Sequence, residues 1–170
     1  MPIVSANIRI RVPEHLIVGE DSIIDDFCYI STRLTVGRGT HIASGCSIAG
    51  GAKFHCRIGD FCSLSSGVKV WCASNDFVND LIAIVPEGVE TQAVEGDVEI
   101  GNYSGVGANS VILPGNNLPE GTAIGALSLV PAGFKFEPWT VYAGIPIRAI
   151  RPRNRKRVME QVRQLTAPAG

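Results

Sequence analysis

The stretch VGEDSIIDDFCYISTRLTVGRGTHIASGCSI, residues 18–48, carries an aliphatic residue at every sixth position: Val18, Ile24, Ile30, Val36, Ile42 and Ile48. The register slips by four residues and resumes at Ile58, Leu64 and Val70. After a long interruption it returns at Ile100, Val106, Ile112, Leu118, Ile124 and Val130. All of these positions are Val, Ile or Leu, although those residue types make up only about a quarter of the chain. A period of six is neither the 3.6 of a helix nor the simple alternation of a half-buried strand. Gly follows Val18, Val36, Ile58, Ile100, Val106 and Ile124, which suits a turn once per repeat.

Two residues before each repeat residue the side chain is usually small: Ser22, Cys28, Thr40, Cys46, Cys56, Cys62, Ser104, Ser110, Thr122 and Ser128. Four of the five cysteines occupy this slot, and they read as buried stacking residues. Short strands that turn a corner every six residues, each sending one apolar side chain inward, describe an all-β solenoid, a parallel β-helix of stacked coils.

Composition narrows the function classes. A chain of 170 residues fits one domain with a substantial core. Hydrophobic residues reach 45% against 18% charged, yet no apolar run approaches membrane-spanning length. The start MPIVSANIRIRVPEH lacks the features of a signal peptide, so a cytoplasmic protein is expected. Five cysteines without a CxxC pair argue against a disulfide framework and against zinc. Charge is uneven along the chain. Between Lys69 and Lys135 there is no Lys or Arg but eight acids, whereas Arg148 onward holds seven basic residues against Glu160. An anionic ligand is therefore steered toward the C-terminal end. Nucleic-acid binding has no support beyond that short tail, which lacks interleaved aromatic residues.

Across residues 12–152 the repeats resemble those of the hexapeptide-repeat acyltransferases, whose motif is an aliphatic residue, Gly and four variable positions. The resemblance implies a left-handed parallel β-helix of triangular section, a homotrimer with active sites between subunits, and acetyl-CoA as co-substrate with no metal. Ordinary crossover handedness predicts the opposite hand, so handedness here comes from the resemblance alone. The domain then spans residues 1–152, with an extended loop over about 73–97, and residues 153–170 form a C-terminal helix and tail. Val158, Val162 and Leu165 would share one side of that helix, which is expected to cap the open end of the solenoid. Tyr142-Ala143-Gly144-Ile145-Pro146 looks like the family's closing GxPA motif, with Ile147 in place of Ala.

Acyl transfer from a thioester needs a base for the acceptor and donors for the oxyanion. The chain offers three histidines. His15 precedes the regular repeats, and His55 lies in the bulge AGGAKFHCR and reads as structural. His41 stands one residue before the inward Ile42, so its ring points out of the coil. The segments HIASGCSIAGG and GDFCSLSSGVKVWCASNDF are similar to a subgroup of hexapeptide sugar acyltransferases. That similarity implies His41 as general base and Asp76 as the carboxylate that orients it or binds the sugar. Ser74 and Asn75 then join Asp76 in holding a sugar or nucleotide-sugar acceptor. It also implies Ala108 and Ala126 beside the pantetheine arm, and Arg148 and Arg151 at the coenzyme's phosphates. Galactoside and xenobiotic acetyltransferases, a looser match, carry their histidine in the loop, where this chain has Ser74-Asn75-Asp76. The final repeat has Pro131-Ala132 where Thr-Lys is frequent in the family. A γ-type carbonic anhydrase shares the fold but needs three histidines on zinc, and His15, His41 and His55 are too dispersed for that. A non-catalytic scaffold is the remaining alternative. The absent loop histidine favours it, and the arginine-bearing tail opposes it.

Overall fold

The computed structural model describes residues 1–167; the last three residues of the expected tail lie outside it. Its strands form three parallel faces wound around one core. On the first face the inward residues Val4, Ile24, Ile42, Leu64, Val106, Ile124 and Tyr142 lie in register from coil to coil. The second face stacks Ile10, Ile30, Ile48, Val70, Ile112 and Val130. The third stacks Val18, Val36, Ile58, Ile100 and Leu118. Every sequence repeat residue therefore points inward. All are fully buried except Val18, which belongs to the first coil and has a neighbour on one side only.

The turn chemistry differs from the expectation. Gly107 and the other glycines that follow repeat residues do not make the turn. A Cβ on Gly107 would collide with the backbone of Ala126 in the next coil, so these glycines answer to axial stacking. The corner itself falls two residues later. There Asp21, Phe27, Phe61, Tyr103, Asn109, Leu127 and Trp139 take φ between +52° and +63°, and glycines such as Gly45 and Gly121 take +71° and +73°.

The small slot is a hydrogen-bonding ladder as well as a packing position. The Thr40 hydroxyl donates to the Gly59 carbonyl at 2.8 Å and accepts from the Cys62 N–H at 2.9 Å. Ser22 serves the previous coil in the same way, donating to Gly37 O and accepting from the Thr40 N–H. Ser, Thr and Cys recur because each is small enough for the interior and can satisfy a backbone group at the corner.

Both interruptions keep the core intact. The strand Ser47–Ile58 runs unbroken round a corner beside Tyr29–Val36, with its extra residues absorbed as register shifts near Thr32. The larger insertion leaves as Ala73–Ser74 and returns as Val94–Glu95, an antiparallel neck. Between them Phe77, Leu81, Ile82 and Ile84 are exposed, Ile84 completely. Re-entry is anchored by Asp97, which accepts from the His55 N–H at 2.9 Å and from Arg57 at 3.0 Å. Burial opposes ionisation of Asp97, but the His55 N–H bond and the bond and charge of Arg57 outweigh it and hold the carboxyl below its ordinary value. A carboxyl so depressed stabilises the fold above its unfolded pKa and loses that contribution as pH falls through the folded value. Asp97→Asn is thus expected to unfold more easily at neutral pH and to show a shallower loss of stability below about pH 4, measured by urea titration across pH.

The C-terminal end departs from the expected cap. Phe134, Phe136 and Tyr142 pack edge to face with centroids 4.8–5.8 Å apart against the last coil. The strands Thr140–Gly144 and Ile147–Pro152 then form a hairpin. Ile147 is buried in the core, which gives the larger residue in the GxPA-like motif a packing role. The helix α1, Arg155–Thr166, begins at Asn154, whose side chain accepts from the Arg157 N–H. It does not cap the end of the stack. Its side chains Val158, Val162 and Leu165 face Phe61 and Tyr103 on an earlier part of the corner between the third and first faces. Phe61, Tyr103 and Trp139 stack along that corner at 6.2 Å intervals, and Arg153 ties it down through the carbonyls of Tyr103 and Gly121. Apolar rings already gathered on this ridge outcompete the small open end for the apolar side of the helix.

Candidate functional site

The first face carries the candidate chemistry. Its strands follow the order Ile3–Val4, Ile23–Ile24, His41–Ile42, Ser63–Leu64, Gly105–Val106, Ala123–Ile124, Thr140–Gly144 and Ile147–Pro152. His41 pairs between Ile23 and Ser63, and its ring projects outward, 47% exposed. Its Nε2 lies 2.8 Å from Asp25 Oδ2. With Nε2–H donated to that carboxylate, Nδ1 keeps the lone pair and has no hydrogen-bond partner among the described residues. This is the geometry of an oriented base.

Asp25 is the partner that sequence reading missed. The signal lay in the register: one coil is 18 residues, so position 23 neighbours His41 and the side chain two further on reaches across to it. Asp76 does not meet His41 within one chain. Its Oδ2 accepts from the Asn79 side chain at 2.7 Å, and its Oδ1 accepts from the Val78 N–H at 2.8 Å. The Asn79 bond, followed by the Val78 bond, lowers its pKa and keeps it anionic. Ser74 and Asn75 line a cleft of about 480 Å³ with Trp71, Ala73, Phe77 and Leu113, on the far side of the second face from His41. The remaining histidines have structural partners. His55 contacts Thr35 Oγ1 at 2.9 Å, and His15 ends a short turn beside Glu14. Burial, with the charges of Arg57 and Arg33, lowers the His55 pKa and keeps its ring neutral.

The corner between the first and second faces is a continuous strip of small residues. Going toward the C-terminus it passes Ala43-Ser44, Ser65-Ser66, Gly107-Ala108, Gly125-Ala126 and Ala143-Gly144. Asp25 and Asp26 stand at its N-terminal end. Ala123 lies three strands from His41 on the shared face, roughly 14 Å at the usual interstrand spacing. Arg148 and Arg151 sit on the last strand, five steps from His41 and roughly 24 Å away. Both arginines are exposed and form no ion pair with a described residue. Trp139, by contrast, is taken up by packing: its indole N–H donates to Glu120, and Arg155 lies over the ring. All five cysteines are free thiols and buried. No group of three His, Cys, Asp or Glu side chains among the described residues is arranged to hold a metal ion.

No protein-family model matches the sequence. A curated relative, dTDP-4-amino-4,6-dideoxy-D-glucose acyltransferase of Escherichia coli, is 33% identical over 148 residues, covering 84% of this chain and 74% of its own. Among solved structures, the N-acyltransferase AntD of Bacillus cereus, crystallised with dTDP and 3-hydroxybutyryl-CoA, is 31% identical with a TM-score of 0.88 over 98% of this chain and 87% of that one. A variant of AntD bound to dTDP-4-amino-4,6-dideoxyglucose and coenzyme A is also 31% identical and superposes with a TM-score of 0.89, covering 98% and 88% of the two chains. The two solved structures each cover 98% of this chain, and the solenoid is the left-handed β-helix of these enzymes. The chain belongs to the left-handed β-helix, hexapeptide-repeat acyltransferases, in their sugar-modifying branch, and its activity is acyl-CoA-dependent transfer to a sugar.

Proposed function

We propose that the protein moves an acyl group from coenzyme A to the amino group of a dTDP-linked 4-amino-4,6-dideoxyhexose. The observation that carries this reading is the alignment, on one face and its corner, of an oriented histidine, a strip of small residues and two unpaired arginines. The acceptor class follows the activity of the relatives above. Coenzyme A lies along the corner, its phosphates at Arg148 and Arg151, its pantetheine arm past Ala126 and Ala108, and its thioester toward His41. The neutral amine attacks the thioester carbonyl carbon, forming the C–N bond, while His41 Nδ1 takes the amine proton. The tetrahedral intermediate then breaks its C–S bond, the electron pair leaves on sulfur, and His41 returns the proton to give the free thiol and the amide. Asp25 holds the ring through Nε2 and stabilises the imidazolium. Asp76, Ser74 and Asn75 bind the acceptor from a neighbouring subunit of a homotrimer, and the exposed apolar loop supports such a contact. Asp76, already anionic, suits a role in binding the acceptor. Five unpaired buried thiols suit a cytoplasmic location.

The direct test incubates the protein with acetyl-CoA or 3-hydroxybutyryl-CoA and dTDP-4-amino-4,6-dideoxyglucose and follows thiol release and the mass of the sugar nucleotide. Acylated product is expected. Thiol release with no dTDP-amino sugar, but with an unlinked amino sugar, would overturn the nucleotide-linked acceptor.

A further inference from the structure

The non-glycine residues held at positive φ divide by corner. Between the third and first faces Phe61, Tyr103 and Trp139 stack on one another, and Phe61 and Trp139 fold over Gly39 and Gly121, so packing offsets their backbone strain. On the corner beside His41 the pattern is different. Asn109 fills the space over Gly67, but Phe27 at φ +63° is 75% exposed and Leu127 at φ +56° is 66% exposed. A bulky residue in the left-handed region is costly, and an exposed ring recovers none of that cost within the chain.

Leu127 follows Ala126 and falls on the coenzyme half of the corner. Phe27 stands at the opposite end. It is two residues beyond Asp25, whose carboxylate holds His41, so at most about 7 Å of chain separates Phe27 from that carboxylate's residue. The next coil places Gly45 beside it, with the Gly45 N–H donating to Asp26 O at 3.0 Å. A Cβ on Gly45 would find its nearest neighbour, the backbone nitrogen of Gly67 in the following coil, only at 4.0 Å, so the corner over Gly45 is open. An exposed aromatic ring thus stands two residues from the carboxylate that holds the candidate base, at the N-terminal end of an open stretch of corner.

We infer that Phe27 is a specificity determinant for the acceptor, packing its ring against the apolar C–H face of the sugar. This rests on the sugar-acylating reading of the His41 site. The sugar, rather than the nucleobase, matches the reach. Phe27 is two residues from the aspartate that holds His41, where the amine on the sugar ring reacts, whereas the base lies beyond a diphosphate. A deoxyhexose also offers an aromatic ring a largely apolar face.

Glycine accepts φ +63° without strain, so Phe27→Gly removes the ring and leaves the fold as stable or more stable. Steady-state kinetics of this variant are expected to show the KM for dTDP-4-amino-4,6-dideoxyglucose raised about tenfold. The KM for acyl-CoA, the affinity for dTDP alone and the oligomeric state should stay unchanged, and Phe27→Trp should restore the acceptor KM. An unchanged acceptor KM in Phe27→Gly overturns the inference. So does an equal loss of affinity for dTDP alone, which would put the base on the ring, or a change in oligomeric state, which would mean that a second copy covers it. If the wild-type protein acylates no sugar nucleotide, the functional reading itself fails, which is a separate result.

Discussion

His41→Asn lowers kcat about 10²-fold, within the range by which a positioned general base accelerates a proton-transfer step, and changes the KM for acyl-CoA less than about twofold. The side chain is exposed and its neighbours on the face are Ile23 and Ser63, so the fold has little stake in it. A loss of activity through unfolding would show as a lowered melting temperature, which is not expected. Asp25→Asn keeps a hydrogen-bonding group near Nε2 but removes the charge that favours the imidazolium, and it lowers kcat about tenfold. The two effects are not additive, because Asp25 acts through His41. The double variant should be no slower than His41→Asn alone. Unchanged turnover in His41→Asn would remove the histidine from the mechanism and leave the thiolate leaving group to take the proton.

Thr40→Val costs about 2–6 kcal/mol of stability, since it leaves two buried backbone groups without partners at about 1–3 kcal/mol each. Valine matches threonine in shape, and Thr40 is fully buried, so packing changes little. The loss is of the donor to Gly59 O and the acceptor for the Cys62 N–H. Thr40→Ser keeps both bonds and gives up one methyl group, about 0.8 kcal/mol. Urea unfolding at fixed protein concentration separates the two variants. Equal midpoints would mean that the ladder of small hydroxyl and thiol side chains contributes through size alone.

The period-six pattern specified the core because side-chain direction in a coil depends only on position within the repeat. Ile42 and Ile48 are buried for the same reason as Ile112 and Ile124, and no long-range information is needed to say so. The outward direction of His41 followed from the same rule. The sequence could not show which corner the outward residues share. Asp25 and His41 are 16 residues apart and meet only through a coil of 18, while Asp76 is diverted into hydrogen bonds with its own loop. The course of the C-terminal helix was equally hidden. Its apolar side was readable at Val158, Val162 and Leu165, but the surface it covers is the ridge of Phe61 and Tyr103, assembled from separate coils.

By itself the sequence determined the solenoid, its inward residues, the two insertions and the candidate base, because each depends on local periodicity. Tertiary structure alone decided His41's partner, the small-residue track that leads from it to Arg148 and Arg151, and the exposure of Phe27. Those depend on coil-to-coil register, which stacks residues distant in the chain at a spacing of about 4.8 Å.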